Sequence, residues 1–188
     1  IFIVWAKNVQ ELSEIVDKIS YKYGSIIKKK MVSIVTKMHH FQAKFLLNEL
    51  QDGKTFVMES GVTPPMDLDE LDNEILSLVA IDARMPLITM ANKLKTSYKV
   101  VGYRLKRLEK KGIIMSYRAE INYNALKCTH YKVFLTLHNN SKEREEELLE
   151  FLRSRPNVIY VTKALNIADL EFECIIPSGS EFYALIRD

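Results

Sequence analysis

The chain has 188 residues, 47% of them hydrophobic and 27% charged, and its formal net charge is +3. This composition is typical of one or two small globular domains and excludes an intrinsically disordered chain. No apolar run approaches the roughly 20 residues that a membrane-spanning helix needs. Cys128 and Cys174 lack CxxC spacing, so we expect buried thiols in a reducing, cytoplasmic compartment.

The first 48 residues predict a strand, a helix and a second strand. Residues 1–6 favour the first strand, and Asn8 is a suitable N-cap for the helix that follows. Gly24 is expected to end this helix, and residues 26–38 predict a long strand.

Residues 49–66 predict a linker. Gly53, Gly61 and the Pro64-Pro65 pair interrupt helix and strand alike. Within this linker, residues 55–58 favour a short edge strand.

Three short helices are predicted between residues 68 and 110. In the first two, apolar residues recur three and four positions apart, as on one helix face: Leu68, Leu71, Ile75 and Leu78, then Leu87, Met90, Ala91 and Leu94. Ser97 is a favourable N-cap for the third helix, which Gly112 is expected to end. Ile113-Ile114 and residues 117–121 then predict a short strand or wing. This order of elements is that of a winged helix-turn-helix, which places one helix in the DNA major groove.

Charge is strongly segregated within this region. Residues 66–82 hold six acids and no base, whereas residues 93–111 hold eight bases and one acid. A basic helix beside an acidic scaffold is typical of phosphate binding. The alternative is a solvated charged face without a partner.

The last part of the chain predicts a β-α-β-β-α order. Strands are expected at residues 131–137, 158–164 and 170–176, and a helix at residues 141–153. Another helix is expected to begin at Ser180.

Several of these segments resemble the Lrp/AsnC (leucine-responsive or feast/famine) family of transcriptional regulators. The resemblance depends on residues 68–76 (LDELDNEIL), Asp82-Ala83-Arg84, and residues 104–109 (RLKRLE) followed by Gly112-Ile113-Ile114. It implies an α+β protein in which a winged helix-turn-helix is joined to a ferredoxin-like βαββαβ effector domain, the RAM domain.

The resemblance also implies a division of the chain. Residues 1–48 are the C-terminal part of one RAM-like domain, residues 49–66 a linker, residues 67–126 the winged helix-turn-helix, and residues 127–188 the N-terminal part of a second RAM-like domain. Residues 1–18 weakly repeat the C-terminus at an offset of 170, so we expect a window of a longer tandem protein. The alternative is that residues 1–48 are an unrelated α/β piece.

The chain departs from the family pattern at a few positions. Lys95-Thr96 stands where the family prefers Gly-Leu in the turn, and Met85 stands where a small hydroxyl residue is usual. Lys127 replaces a glycine that often closes the linker, and Asn166 replaces a glycine of the effector turn.

The third helix supplies the predicted DNA-binding residues. Ser97, Tyr98, Lys99 and Tyr103 are expected to reach base edges from its N-terminal half. Further basic residues are expected to hold phosphates: Arg104, Lys106, Arg107 and Lys110. For Arg104, a salt bridge to a first-helix acid such as Asp72 is an equal alternative.

Double-stranded DNA is therefore the expected partner, read at paired half-sites. Self-association or an intrachain pseudo-dimer through the RAM-like domains is also expected, because the apolar face of the sheet needs a partner sheet. The resemblance implies a small-molecule effector near Asn166 and Asp169. Asp169 would hold an amino group or, in the preferred alternative, only cap the turn.

No catalytic residue, metal site or cofactor is predicted. Adjacent His39 and His40 cannot form the i, i+4 face of a helical metal site, and no glycine-rich phosphate loop is present. One alternative is an enzyme resembling siroheme decarboxylases, in which His39, His40 or His130 serve a tetrapyrrole. The other alternative is a non-catalytic interaction module.

Overall fold

A computed structural model describes residues 2–46, 55–61, 66–138 and 141–187. The helices are α1 (Val9–Tyr23), α2 (Glu70–Ile81), α3 (Leu87–Lys93), α4 (Tyr98–Lys110), α5 (Lys142–Ser154) and α6 (Gly179–Arg187). The strands are β1 (Ile34–His40), β2 (Phe56–Glu59), β3 (Thr129–Leu135), β4 (Val158–Leu165) and β5 (Leu170–Ile176). The expected α+β fold class is confirmed.

All five strands form one antiparallel sheet in the order β2-β1-β4-β5-β3. Strand β1 therefore pairs with β4, and His40 lies opposite Tyr160. The hydroxyl of Thr36 donates to the carbonyl of Lys163 over a separation of 127 residues. The first and last parts of the chain are thus joined in a single sheet, and the helix-turn-helix lies between β2 and β3 in sequence.

Helices α5 and α6 cover one face of this sheet. The core there contains buried Val161, Phe172 and Ile176, with Leu152 of α5 against them. Phe182 of α6 stacks on Tyr131 with ring centroids 4.1 Å apart. The expectation that this apolar face needs a partner sheet is therefore wrong, because two helices of the same chain bury it. Self-association itself is not tested by this finding.

The helix-turn-helix has its own core. The side chains of Ile75, Val101 and Leu108 are fully buried, and Met90 and Ala91 of α3 pack with them. Ile75, Met90 and Ala91 are members of the apolar stripes predicted from the sequence. Helices α2, α3 and α4 therefore form a unit with a separate apolar centre.

Three of the sequence predictions differ from the structure. Residues 2–6 are exposed and form no strand, because no strand pairs with them among the described residues. The long strand predicted at 26–38 is restricted to β1, whose bounds follow from pairing with β4. Residues 115–121 form no wing strand, while Ile113 and Ile114 pack against the helix-turn-helix core.

Other local predictions are confirmed. The edge strand within the linker is β2, which pairs with β1 at the edge of the sheet. Asn8 caps α1 by accepting a hydrogen bond from the backbone N–H of Glu11. The rest of the linker lies partly outside the described residues, and the division into two incomplete RAM-like domains stays a prediction.

Candidate nucleic-acid interface

Capping interactions fix where the third helix of the helix-turn-helix begins and ends. The hydroxyl of Ser97 accepts a hydrogen bond from the backbone N–H of Val100 at 3.2 Å, as predicted for the N-cap. Gly112 has a φ of 71°, which a glycine adopts at no steric cost. The turn before α4 passes through Lys95 with a φ of 50°. Helix α4 is therefore held at both ends by local chemistry.

One side of α4 is exposed and basic. Tyr98 is 52% exposed and Tyr103 is 67% exposed, although both are aromatic. Four predicted DNA-contacting residues share this exposure: Ser97, Lys99, Lys106 and Lys110. The structure thus brings six of the eight predicted residues to the free surface of one helix.

The remaining two predicted residues, Arg104 and Arg107, are half-buried and turn toward α2. Asp72 of α2 is fully buried, and its two carboxylate oxygens accept hydrogen bonds from Arg104, at 3.1 Å, and from Arg107. Arg104 also pairs with Asp69. The structure therefore contains the Arg104–Asp72 salt bridge that was one of the two alternatives for Arg104. Arg107 binds the same carboxylate.

These ion pairs change the electrostatics of α4. The hydrogen bond from Arg104 and that from the backbone of Asp72 lower the pKa of Asp69. The pKa of Arg104 is raised by the same hydrogen bond to Asp69 and by its bond to Asp72. Two positive charges are thereby neutralised on the inner side of the helix, while the outer lysines stay unpaired among the described residues.

The segment that leaves the helix-turn-helix is attached to the sheet through Arg118. Its guanidinium lies 3.3 Å from Nδ1 of His40 and donates to the carbonyl of Phe41 at 3.4 Å. It also lies over the rings of Phe56 and Tyr160. Beside it is a groove of about 370 Å³ between β1, β2 and α2. Arg118 was not among the predicted residues, because no motif or periodicity in the sequence around it indicates a long-range contact.

The predicted effector turn makes contacts within the chain. Asn166 has a φ of 97°, and its side-chain amide donates to the carbonyl of Val32. The carboxylate of Asp169 accepts a hydrogen bond of 2.7 Å from the backbone N–H of Leu137. This bond ties the turn to the segment after β3 and is not the local turn cap considered for Asp169, so the role of Asp169 stays a prediction.

An ionic cluster lies on the sheet face opposite α5 and α6. Glu171 is 5% exposed and pairs with Lys132 at 2.9 Å. Glu173 bridges Lys132 and His130, at 3.3 and 2.8 Å. The pKa of Lys132 is raised, because its bonds to the two carboxylates outweigh the burial that lowers it. This cluster was not predicted, since the pairing of β3 with β5 is not visible in either strand alone.

The three histidines of the enzyme alternative are not brought together. Adjacent residues of a strand point to opposite faces, so His39 and His40 diverge. His130 lies on β3, three strand spacings from β1, or roughly 14 Å. Within the described ranges, no group of three or more His, Cys, Asp or Glu could hold a metal ion. In the same ranges, no helix is both long and apolar enough to cross a membrane.

Helices α2 to α4 thus define a DNA-binding domain of the winged helix-turn-helix class. The model of the winged helix-turn-helix DNA-binding family matches residues 68–115. This match covers the predicted reading helix together with its two supporting helices.

Curated relatives that match part of this chain are named as transcriptional regulators. The HTH-type transcriptional regulator LrpA of Pyrococcus horikoshii is 46% identical over 55 residues, which are 29% of this chain and 39% of that protein. An uncharacterised HTH-type transcriptional regulator of Pyrococcus furiosus is 36% identical over 61 residues, which are 32% of this chain and 41% of the relative. The matches thus span about two fifths of the length of these relatives.

Solved structures extend the similarity beyond the helix-turn-helix. LrpC of Bacillus subtilis is 25% identical with a TM-score of 0.55, covering 65% of this chain and 86% of its own. A transcriptional regulator of Neisseria meningitidis, solved as a complex with L-Met, is 19% identical with a TM-score of 0.60, covering 65% and 79%. The resemblance to the Lrp/AsnC family is therefore confirmed.

Proposed function

We propose that this chain is a DNA-binding transcriptional regulator of the Lrp/AsnC type that reads the major groove with α4. The observation that carries the proposal is the exposed face of α4, on which lysines and tyrosines lie beside a Ser97-capped N-terminus. A helix presented in this way can enter the major groove, which is about 12 Å wide. The naming of relatives as transcriptional regulators supports regulation rather than catalysis.

The side chains of α4 divide into two groups in this proposal. Ser97, Tyr98, Lys99 and Tyr103 reach base edges, because they lie at the exposed N-terminal half. Lys106 and Lys110 contact phosphates. Arg104 and Arg107 orient α4 on α2 through their contacts with Asp72. For Arg104 this was one of the two expectations, whereas for Arg107 it replaces the expected phosphate contact.

The test is a pair of double variants measured by fluorescence anisotropy on labelled duplexes. Lys106→Ala with Lys110→Ala is expected to weaken binding to every duplex and to flatten the salt slope by roughly 0.9 for each phosphate that is no longer neutralised. Lys99→Ala with Tyr103→Ala is expected to reduce discrimination between sequences, by about 1 to 3 kcal/mol for each base that is no longer read.

Lys7→Ala with Lys142→Ala is the matched control, because it removes two exposed lysines that lie outside α4. Unchanged affinity and salt slope in the Lys106/Lys110 variant, relative to this control, would contradict the proposal.

We further propose that the protein self-associates through the sheet face opposite α5 and α6, at the part that carries the Lys132 cluster. Glu171 is only 5% exposed there and already pairs with Lys132, so a partner subunit would not bury an unpaired carboxylate at this position. Paired subunits would place two reading helices at half-sites about one helical turn apart. Light scattering that showed only monomers at high protein concentration would contradict this part.

A small-molecule effector is implied by the resemblance, but we propose only a weak or absent response to common amino acids. Asn166 is bonded to Val32 and Asp169 to Leu137, so both polar side chains are occupied within the chain. A thermal-shift survey of the twenty amino acids tests this. Stabilisation of about 2.7 kcal/mol at a hundred-fold excess, abolished in Asp169→Ala, would restore an effector role.

A further inference from the structure

A second concentration of positive charge lies at the other end of β1 from the helix-turn-helix. Residues 18–48 contain seven lysines and no acid. Five of these lysines are exposed and lie along the end of α1 and the loop that follows it: Lys18, Lys22, Lys28, Lys29 and Lys30. We call these five residues the lysine loop.

Carboxylates do not neutralise the lysine loop. Among the described residues, none of its five amino groups forms an ion pair; Lys30 donates to the hydroxyl of Ser20 at 3.0 Å, and Lys22 lies over the ring of Tyr23. Lysines of the sheet behave differently, since Lys37, Lys132 and Lys163 all bind glutamates. Like charges brought together without counter-charges repel one another, so a polyanion would relieve the repulsion.

Hydrogen bonds fix the lysine loop to the sheet. Just after it, Val32 accepts a hydrogen bond from Asn166, and the hydroxyl of Ser33 donates to the carbonyl of Leu165 at 2.9 Å. Lys28, Lys29 and Lys30 line one side of a concave surface of about 300 Å³. The charges are therefore presented from a defined place rather than from a free tail.

The position of the lysine loop relative to the helix-turn-helix suggests what it binds. The groove beside the helix-turn-helix is lined by His40, at the C-terminal end of β1, whereas the loop precedes Ile34 at the N-terminal end. Seven strand residues separate the two ends by roughly 20 Å. That is about six base pairs of a duplex, which carries one phosphate every ~1.7 Å of its axis.

We propose that the lysine loop is a second, sequence-independent contact to the phosphates of duplex DNA. The inference rests on the proposed function, because it takes duplex DNA as the polyanion. Lysines suit this role as point charges that need no bidentate geometry. Binding would add counterion release, and therefore salt dependence, without adding sequence preference.

The test compares two triple variants of the full chain. Lys28→Gln, Lys29→Gln and Lys30→Gln remove the centre of the lysine loop. Lys7→Gln, Lys142→Gln and Arg144→Gln remove the same charge from exposed positions elsewhere, so both triples lower the formal net charge from +3 to zero. Affinity is measured by anisotropy over a range of salt on duplexes of about 8 and about 40 base pairs. A duplex of about 8 base pairs centred on the reading helix extends only about 14 Å to each side, which is less than the roughly 20 Å length of β1.

On the long duplex, the lysine-loop triple is expected to bind about ten-fold more weakly than the control triple, with a salt slope lower by roughly 2. On the short duplex, the two triples are expected to bind equally. An equal loss of affinity on both lengths would also support the contact and place it on a separate duplex. Affinity and slope like the control on the long duplex would overturn the inference.

The Lys106/Lys110 variant separates this failure from failure of the proposed function. If that variant loses binding while the lysine-loop triple does not, only the phosphate contact of the lysine loop is contradicted. If the unaltered protein binds neither duplex, DNA binding through α4 and the contact of the lysine loop are both contradicted.

Discussion

The helix-turn-helix and the sheet are built from contacts of different range. In the helix-turn-helix, α2 and α4 are about 30 residues apart, and Asp72 reaches Arg104 over 32 residues. In the sheet, β1 pairs with a strand more than 120 residues away. The fold of the helix-turn-helix can therefore be specified largely by its own sequence. The sheet depends on distant segments whose pairing is not evident from either segment alone.

The largest expected loss of stability comes from replacing one buried isoleucine by alanine in each region. Ile75→Ala and Ile176→Ala each leave a cavity at a side chain that is at most 1% exposed, so each should lower the free energy of unfolding by about 2 to 5 kcal/mol. We expect hydrogen exchange to accelerate mainly in α2 to α4 for Ile75→Ala, and mainly in the sheet, α5 and α6 for Ile176→Ala. If hydrogen exchange accelerated equally throughout the protein in both variants, the two regions would unfold as one cooperative unit, and the difference between them would be contradicted.

Buried carboxylates provide the next largest effect. Asp72→Ala removes the acceptor of two arginines, and it should cost about 2 to 3 kcal/mol in urea unfolding. Glu171→Ala removes the acceptor of one lysine and should cost about 1 to 2 kcal/mol. A smaller cost for Asp72→Ala than for Glu171→Ala would contradict the importance of the arginine contacts in positioning α4.

Relief of backbone strain should give a smaller change in the free energy of unfolding, and this change should be a stabilisation. Lys95 and Lys127 have φ values of 50° and 57°, in the left-handed region that non-glycine residues occupy at a cost. Lys95→Gly and Lys127→Gly should each raise the free energy of unfolding by about 0.5 to 1 kcal/mol. Lys111→Gly is the control, because the φ of Lys111 is −79° and glycine brings no relief there. Thermal unfolding that ranks the control as equally stabilising would refute the argument.

The smallest expected effect is the pH response of His40, which lies between the two regions. Burial and the nearby Arg118 guanidinium lower the pKa of His40 below its ordinary value of 6.5. Between the lowered pKa and 6.5, the unfolded chain binds more protons than the folded one. The stabilising contribution is therefore full above pH 6.5 and is lost as the pH falls toward the lowered pKa.

Urea unfolding between about pH 5 and pH 7.5 measures this response. His40→Gln should flatten the dependence but not abolish it, because the pKa of His39 is lowered in the same direction by burial. A variant with the same pH profile as the unaltered protein would exclude His40 as the source.

The predictability of each region follows from the same difference in range. Ser97, Gly112 and the apolar stripes act within one or two helical turns, so the sequence alone places α2, α3 and α4 correctly. Lys95, Lys127 and Asn166 were identified only as departures from family glycines. All three have positive φ, so the backbone keeps a glycine-like conformation where the side chain has changed.

The features that were missed depend on pairing across the chain. Residues 2–6 have the apolar content of a strand, but strand formation needs a neighbour as well as a composition. The roles of Arg104 and Arg107 could not be assigned from charge alone, because the sequence does not show that Asp72 is buried beneath them. Lys132 lacked any signal, since its two glutamates lie on another strand.

The pairing of β1 with β4 has a consequence for synthesis on the ribosome. Thr36 is made 127 residues before its partner Lys163. At a translation rate of ~5 to 20 residues per second, β1 waits roughly 6 to 25 seconds for the strand that covers its edge. During this interval the helix-turn-helix emerges complete, whereas β1 has only the short β2 beside it. The nascent chain therefore exposes an open strand edge that attracts other chains, and slow passage through the central segment would favour aggregation through β1.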